Sequence, residues 1–197
     1  MIQPVSDALT GTPSDARPGC ASPRYLLLGR STPEELERIM LRGARPDVSA
    51  LVGWEFRGRN IAWWAERSPI LKFRKGFWRD AAGLAWGYNI PVVQNGLDEP
   101  WVGQPDEANP KRFGFYRVYP VEPRSRDNAY LQALLLDYGQ GKNPPWEPAR
   151  VLRDYLVRVD PDSDDLLLGK AYAAVGPLRV AAGYFLLERH RPSSWTR

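Results

Sequence analysis

The chain has 197 residues, enough for one domain with a real core. Its 12% aromatic content, with eight Trp, argues against global disorder, and a single cysteine, Cys20, excludes an intrachain disulfide and a cysteine metal cluster. The net charge of +4 is concentrated: between Glu55 and Asp80, seven basic residues stand against three acidic ones.

That basic segment reads as a solvated surface or as an anion-attracting face for nucleic acid, acidic lipid or a carboxylate ligand. His190 is the single histidine, which excludes any site built from two or more histidines. No apolar run approaches the ~18 residues of a membrane helix, so no membrane span is expected. The first residues, Met1-Ile2-Gln3-Pro4-Val5-Ser6-Asp7, lack the basic start and apolar core of a secretory signal. With the lone cysteine, this points to a reducing, cytoplasmic location.

In chain order, residues 1–24 hold Pro, Ser, Gly, Thr and Asp with little apolar content, and read as a disordered tail before a single domain over 25–197. A helix follows: Thr32 is its N-cap, Pro33 takes the first turn, and Glu35 completes a capping box. Leu36, Ile39 and Met40 form its apolar stripe, and Gly43 is placed as a left-handed C-cap. A short turn over 47–51 leads into a strand over 51–58, where Trp54 and Phe56 share one face and Glu55 and Arg57 the other. Asn60 is read as the cap of a short helix over 61–67, broken by Pro69.

Residues 71–79 alternate Phe73, Lys75 and Phe77 with Arg74 and Gly76, which suggests a second strand. The next, 84–93, puts Leu84, Trp86, Tyr88, Ile90 and Val92 on one face and Ala85, Gly87 and Asn89 on the other. Asn95-Gly96 marks a turn, and 97–110 is a long loop whose length suggests function or a lid. Strands are expected over 113–119, 131–138, 154–160, 166–173 and 180–189, with a helical turn over 145–152 and tight turns at 161–164 and 176–177. Eight strands without regular helix alternation argue for a mainly β, antiparallel barrel that removes its own edges; a sandwich is the rival.

Several motifs carry chemistry. Lys111-Arg112-Phe113-Gly114-Phe115 partly resembles an RNA-recognition strand, but Arg112 stands where glycine belongs and the βαββαβ order is missing, so no convincing nucleic-acid signal results. Phe113, Phe115, Arg117 and Tyr119 share a face; an inward Arg117 needs a partner, either a ligand carboxylate or Asp137. Asp160-x-Asp162-x-Asp164 has calcium-loop spacing but lacks the glycine and the final glutamate, and reads as an acidic turn with no metal site. His190 is read as solvent-facing. Asp137 and Asp154 adjoin apolar strand residues that would raise their pKa, so they are the best acid or base candidates. No nucleophile elbow, phosphate loop or dinucleotide fingerprint is present, and no cofactor is expected.

Gly53-Trp54 on the first strand, with Arg189 ending the last, resembles the lipocalin or calycin arrangement, in which a Gly-x-Trp element packs under an arginine from the last strand. Here Trp54 directly follows Gly53. The resemblance implies an eight-stranded barrel, with Trp54 and Arg189 as structural closure, that binds small apolar molecules or hosts an activity in the same space. The expected lining is Trp54, Phe56, Trp86, Tyr88, Phe115, Tyr155 and Phe185, with Arg117 and Asp137 as polar contacts. A small hydrophobic or amphipathic ligand, which a carboxylate would suit, is the expected partner. An enzyme using Asp137 or Asp154 is the alternative. Oligomeric state is left open.

Overall fold

The structure, a computed structural model, describes residues 20–61 and 70–197. Residues 1–19 of the tail expected over 1–24, and residues 62–67 of the helix expected over 61–67, lie outside the described residues. Three short helices come first: α1 (Pro23–Leu28), α2 (Pro33–Arg42) and α3 (Val48–Leu51). Ser22 caps α1 by accepting from the Tyr25 amide, so residues 22–24 belong to that helix start. In α2, Thr32 and Glu35 form the expected capping box. Gly43 is not a left-handed cap: its φ of −64° and ψ of 147° are extended. Glycine is required there by close approach, because a Cβ would lie 2.7 Å from Val157 Cγ2 and 2.8 Å from the Arg158 carbonyl oxygen.

Eight strands then form one closed antiparallel barrel in sequence order. They are β1 (Trp54–Ile61), β2 (Lys72–Arg79), β3 (Ala85–Pro91), β4 (Phe113–Pro120), β5 (Leu134–Asp137), β6 (Leu152–Asp160), β7 (Ser163–Val175) and β8 (Leu178–Pro192). β1 closes on β8, so every strand has two neighbours and no edge is exposed. The first strand begins later than expected, because residues 48–51 are helical and Gly53 turns the chain with φ +82°. Asn60 and Ile61 extend β1 instead of opening a helix.

Two apolar cores lie on the two sides of this sheet. The inner one gathers Phe56, Phe73, Phe77, Tyr116, Val118, Leu134, Leu136, Leu156, Leu167, Phe185 and Leu187, with Leu51 of α3 packed on it. The outer one contains Tyr25 of α1, Leu36 and Met40 of α2, and Trp78, Trp86, Tyr88, Ile90, Trp101, Tyr155 and Leu186. Phe77 and Trp78 are adjacent in sequence and both buried, one in each core.

A narrow barrel must fit its rings somewhere. Four cross-strand pairs do this with glycine: Gly58 opposite Phe73, Gly87 opposite Tyr116, Gly169 opposite Phe185, and, outside, Gly76 opposite Tyr88. A Cβ at any of them would fall 2.0–2.2 Å from the partner ring. The strands also bulge. Gly114, with φ +52°, lies where the β3–β4 register shifts, and face parity changes across it: Phe113 lines the interior while Phe115 packs outside.

Candidate functional site

The inner face of the barrel contains a cavity of about 440 Å³. Its walls are mostly apolar: Phe73, Phe113, Ala149, Leu152, Ala171 and Phe185 contribute from five strands and the turn before β6. This is within the usual size of small-molecule pockets, about 300–1,000 Å³. The opposite half of the barrel is filled by side chains, including Phe56, Phe77, Leu134 and Leu187.

Four polar side chains meet at the cavity wall: Lys75 from β2, Asn89 from β3, Tyr138 just after β5, and Asp154 from β6. Strand alternation aims Lys75 inward with Phe73 and Phe77, and Asp154 inward with Leu156. Lys75 Nζ donates to Asn89 Oδ1 at 2.9 Å, lies 3.5 Å from Asp154 Oδ2, and contacts the Tyr138 hydroxyl. Tyr138 donates to Asp154 Oδ2 at 3.2 Å, and Asn89 Nδ2 donates to the Gly114 carbonyl at 2.9 Å. Lys75 and Asp154 are each only 3% exposed. Asp154 Oδ1 is buried with no hydrogen-bond partner.

Burial sets the electrostatics. Desolvation lowers the Lys75 pKa, with the Asp154 charge opposing it, and raises the Asp154 pKa against the pull of Lys75. Both groups therefore shift toward their neutral forms. Burial also drives the Tyr138 and Tyr116 phenols well above their ordinary value, so both remain protonated hydroxyls.

Of the residues read from the sequence as lining, Phe56 and Phe185 belong to the inner core, and Trp54 packs against it. The Arg189 guanidinium lies over the Trp54 ring, 4.6 Å from its centroid, and donates to the Ala50 carbonyl. Asp154 is at the cavity; Asp137 is not. Asp137 points outward, where Arg153 at 3.1 Å, Tyr119 at 2.9 Å and Gln140 at 2.9 Å satisfy it.

The inward placement of Trp86, Tyr88, Phe115, Tyr155 and Arg117 is corrected: all five are outside the barrel wall. Trp86 stacks on Trp78, Tyr88 donates to Glu55, Phe115 stacks on Trp195, and Tyr155 packs between Tyr130 and Tyr172. Arg117 lies over Trp86, 5.4 Å from its centroid. The reason is an outer layer of α1, α2, the loop after β3 and the C-terminal residues, which needs large rings to pack against. The interior needs small residues such as Ala85 and Gly87 between crossing rings.

The basic segment is mostly not a surface. Arg57, Lys72, Arg74 and Lys75 are buried, Arg59 is half-buried and Arg79 is exposed, while Arg67 lies outside the described residues. Three of the four buried ones hold the outer layer. Lys72 Nζ donates to the Gly96 and Glu99 carbonyls at 2.8 and 3.1 Å and sits 3.9 Å over the Trp101 ring. Arg74 donates to the Trp101 carbonyl and pairs with Glu107 at 2.7 Å, and Arg57 pairs with Glu188 at 3.4 Å. The long loop thus lies clamped on the outer face. His190 is half-buried there rather than solvent-facing; burial first, then Arg57, Arg74 and Arg191, lowers its pKa to about 4.

In the acidic turn, Asp164 receives both Nε and Nη2 of Arg158, at 2.7 and 2.8 Å, and Asp160 pairs with Arg24. Sequence reasoning missed Lys75, Asn89 and Tyr138. The available signal was the Phe73-x-Lys75-x-Phe77 alternation, a cation in phase with two rings. No helix among the described residues is long and apolar enough to cross a membrane. Comparison of the chain with known protein families, with curated proteins and with solved structures finds no match.

Proposed function

We propose that this barrel binds a small, largely apolar molecule that bears one hydrogen-bond donor, such as an alcohol, amine or amide. The observation that carries this reading is Asp154 Oδ1, a buried acceptor with no partner at the wall of a mostly apolar cavity. A buried polar atom without a partner costs roughly 1–3 kcal/mol, and a ligand donor would remove that cost. Arg117 no longer supports a carboxylate-bearing ligand, since it lies outside the wall, and Lys75 already has Asp154 as its counter-ion. Grouping the chain with lipocalin-like barrels is part of this proposal; the sequential closed barrel and the Arg189–Trp54 contact support it.

The test is fluorescence enhancement of N-phenyl-1-naphthylamine, an apolar probe with one N–H. We expect enhancement, displacement by 1-decanol at lower concentration than by methyl decyl ether, and loss of both in Ala171→Phe, which fills the cavity. Absence of enhancement in folded wild-type protein, or enhancement that survives Ala171→Phe, would refute the reading. An enzyme is the second reading, favoured by the raised Asp154 pKa, with Asp154 as general acid or base. Asp137 has no access to the cavity for that role. A turnover that persists in Asp154→Asn would eliminate it.

A further inference from the structure

We infer that Lys75 is a covalent attachment point: its amine condenses with the carbonyl of an apolar aldehyde or ketone held in the cavity, forming an imine beside Asp154. This rests on the reading of the apolar cavity as a small-molecule site, but not on the ligand donor proposed there, which an aldehyde or ketone lacks.

Placement is the first support. Lys75 Nζ sits inside the barrel, boxed by the rings of Tyr116, Tyr138, Phe185 and Phe73 at 4.8, 5.1, 5.2 and 5.5 Å to their centroids. The titratable groups around it are Asp154, Tyr138 and Tyr116, with Arg153 acting on Asp154 from outside the wall. Composition is the second. The chain has 22 Arg and five Lys; at outer-face positions 57 and 74, which pair with carboxylates, it uses arginine, whereas the buried outer-face Lys72 donates to carbonyl oxygens. Arginine is the better partner for a buried carboxylate, but its guanidinium does not give up its proton and cannot act as a nucleophile. At the cavity the chain has lysine instead. Desolvation pushes this lysine toward the free amine, which is the form that attacks a carbonyl.

The step balances without any other reagent. Nζ adds to the carbonyl carbon as the C=O π bond opens, and the oxygen takes a proton. Loss of that oxygen as water, carrying both amine hydrogens, leaves C=N. Asp154, whose burial favours the protonated carboxyl, can give the proton to oxygen and take one from nitrogen. If the imine is protonated, its positive charge occupies the place of the ammonium opposite Asp154, so the ion pair is preserved. Burial of Lys75 and Asp154 away from solvent favours the condensed product.

The experiment treats the full chain with decanal and sodium borohydride, with 1-decanol binding measured in parallel. We expect a mass increase equal to decanal less one oxygen, mapped to Lys75 and formed at least about tenfold faster there than at the exposed Lys111 and Lys142. Lys75→Arg should lose the adduct; if that variant does not fold, the wild-type peptide map alone decides. Asp154→Asn should form it more slowly. Labelling of Lys111 and Lys142 without preference for Lys75, in protein that binds 1-decanol, would overturn the imine and leave the small-molecule reading standing. Failure to bind either compound would overturn both.

Discussion

Lys75 and Asp154 sit in a part of the barrel where neither charge meets water. Their mutual contact, with Tyr138 and Asn89, is what makes burial of both tolerable. Removing one partner leaves the other uncompensated, which typically costs about 3–5 kcal/mol, whereas replacing both with apolar groups is often neutral. We expect Lys75→Met to destabilise by about that amount and Lys75→Met/Asp154→Leu to recover most of it, measured by urea unfolding as a double-mutant cycle. His190 makes a different statement. Its folded pKa of about 4 lies below its ordinary value of 6.5, because burial and then Arg57, Arg74 and Arg191 oppose a further positive charge, with Glu107 working against them. Between these values the unfolded chain binds more protons than the folded one, so stability falls as pH drops from about 6.5 to about 4 and is unaffected by this group above that window. His190→Gln should flatten that part of the urea-midpoint profile. A wild-type profile with no His190-dependent slope in this range would show that the histidine is not buried among those arginines.

Strand positions were legible because alternation and turn residues are local signals. Thr32, Pro33 and Glu35 specify the start of α2 by themselves, and Gly176-Pro177 specifies a turn. Inward and outward faces were not legible from the same signal. Period two separates two faces but does not say which is which when both are buried. The 85–91 strand shows it: Trp86 and Tyr88 look like core, and are, but of the outer layer, whereas Ala85, Gly87 and Asn89 face inside. The glycines are only a partial sign: the three inner ones each lie across from a large ring, but so does the outer Gly76, opposite Tyr88. Gly169→Ala tests this directly. Its Cβ would lie 2.0 Å from Phe185 Cζ, so the ring must leave its place. We expect a loss of about 1–3 kcal/mol, typical of overpacking, with partial recovery in Gly169→Ala/Phe185→Leu. Lack of recovery in the double variant would mean the strain lies in the backbone rather than in the ring.

At the scale of the whole molecule, one sheet separates two interiors with different roles. The inner one keeps unfilled volume beside the Asp154 acceptor; the outer one holds interlocking rings and buried ion pairs beneath a clamped loop. A barrel that keeps empty space forgoes packing energy, and the outer layer is where it can be recovered. Trp195 is a clear instance. It lies 5.2 Å from Trp78, 4.7 Å from Tyr88 and 6.0 Å from Phe115 between ring centroids, all on the outer face, with Arg112 over it at 4.9 Å. None of these partners belongs to the cavity wall that carries Lys75, Tyr138 and Asp154. Trp195→Ala should therefore lower stability, by about 2 kcal/mol given that the ring is only half-buried, below the 3–5 kcal/mol of a fully buried one. Affinity for N-phenyl-1-naphthylamine should stay within about twofold of wild type while the protein remains folded, because wall and probe are untouched. A change in affinity much larger than the fraction unfolded explains would show instead that the outer layer sets the shape of the cavity, and the division of labour between the two interiors would have to be given up.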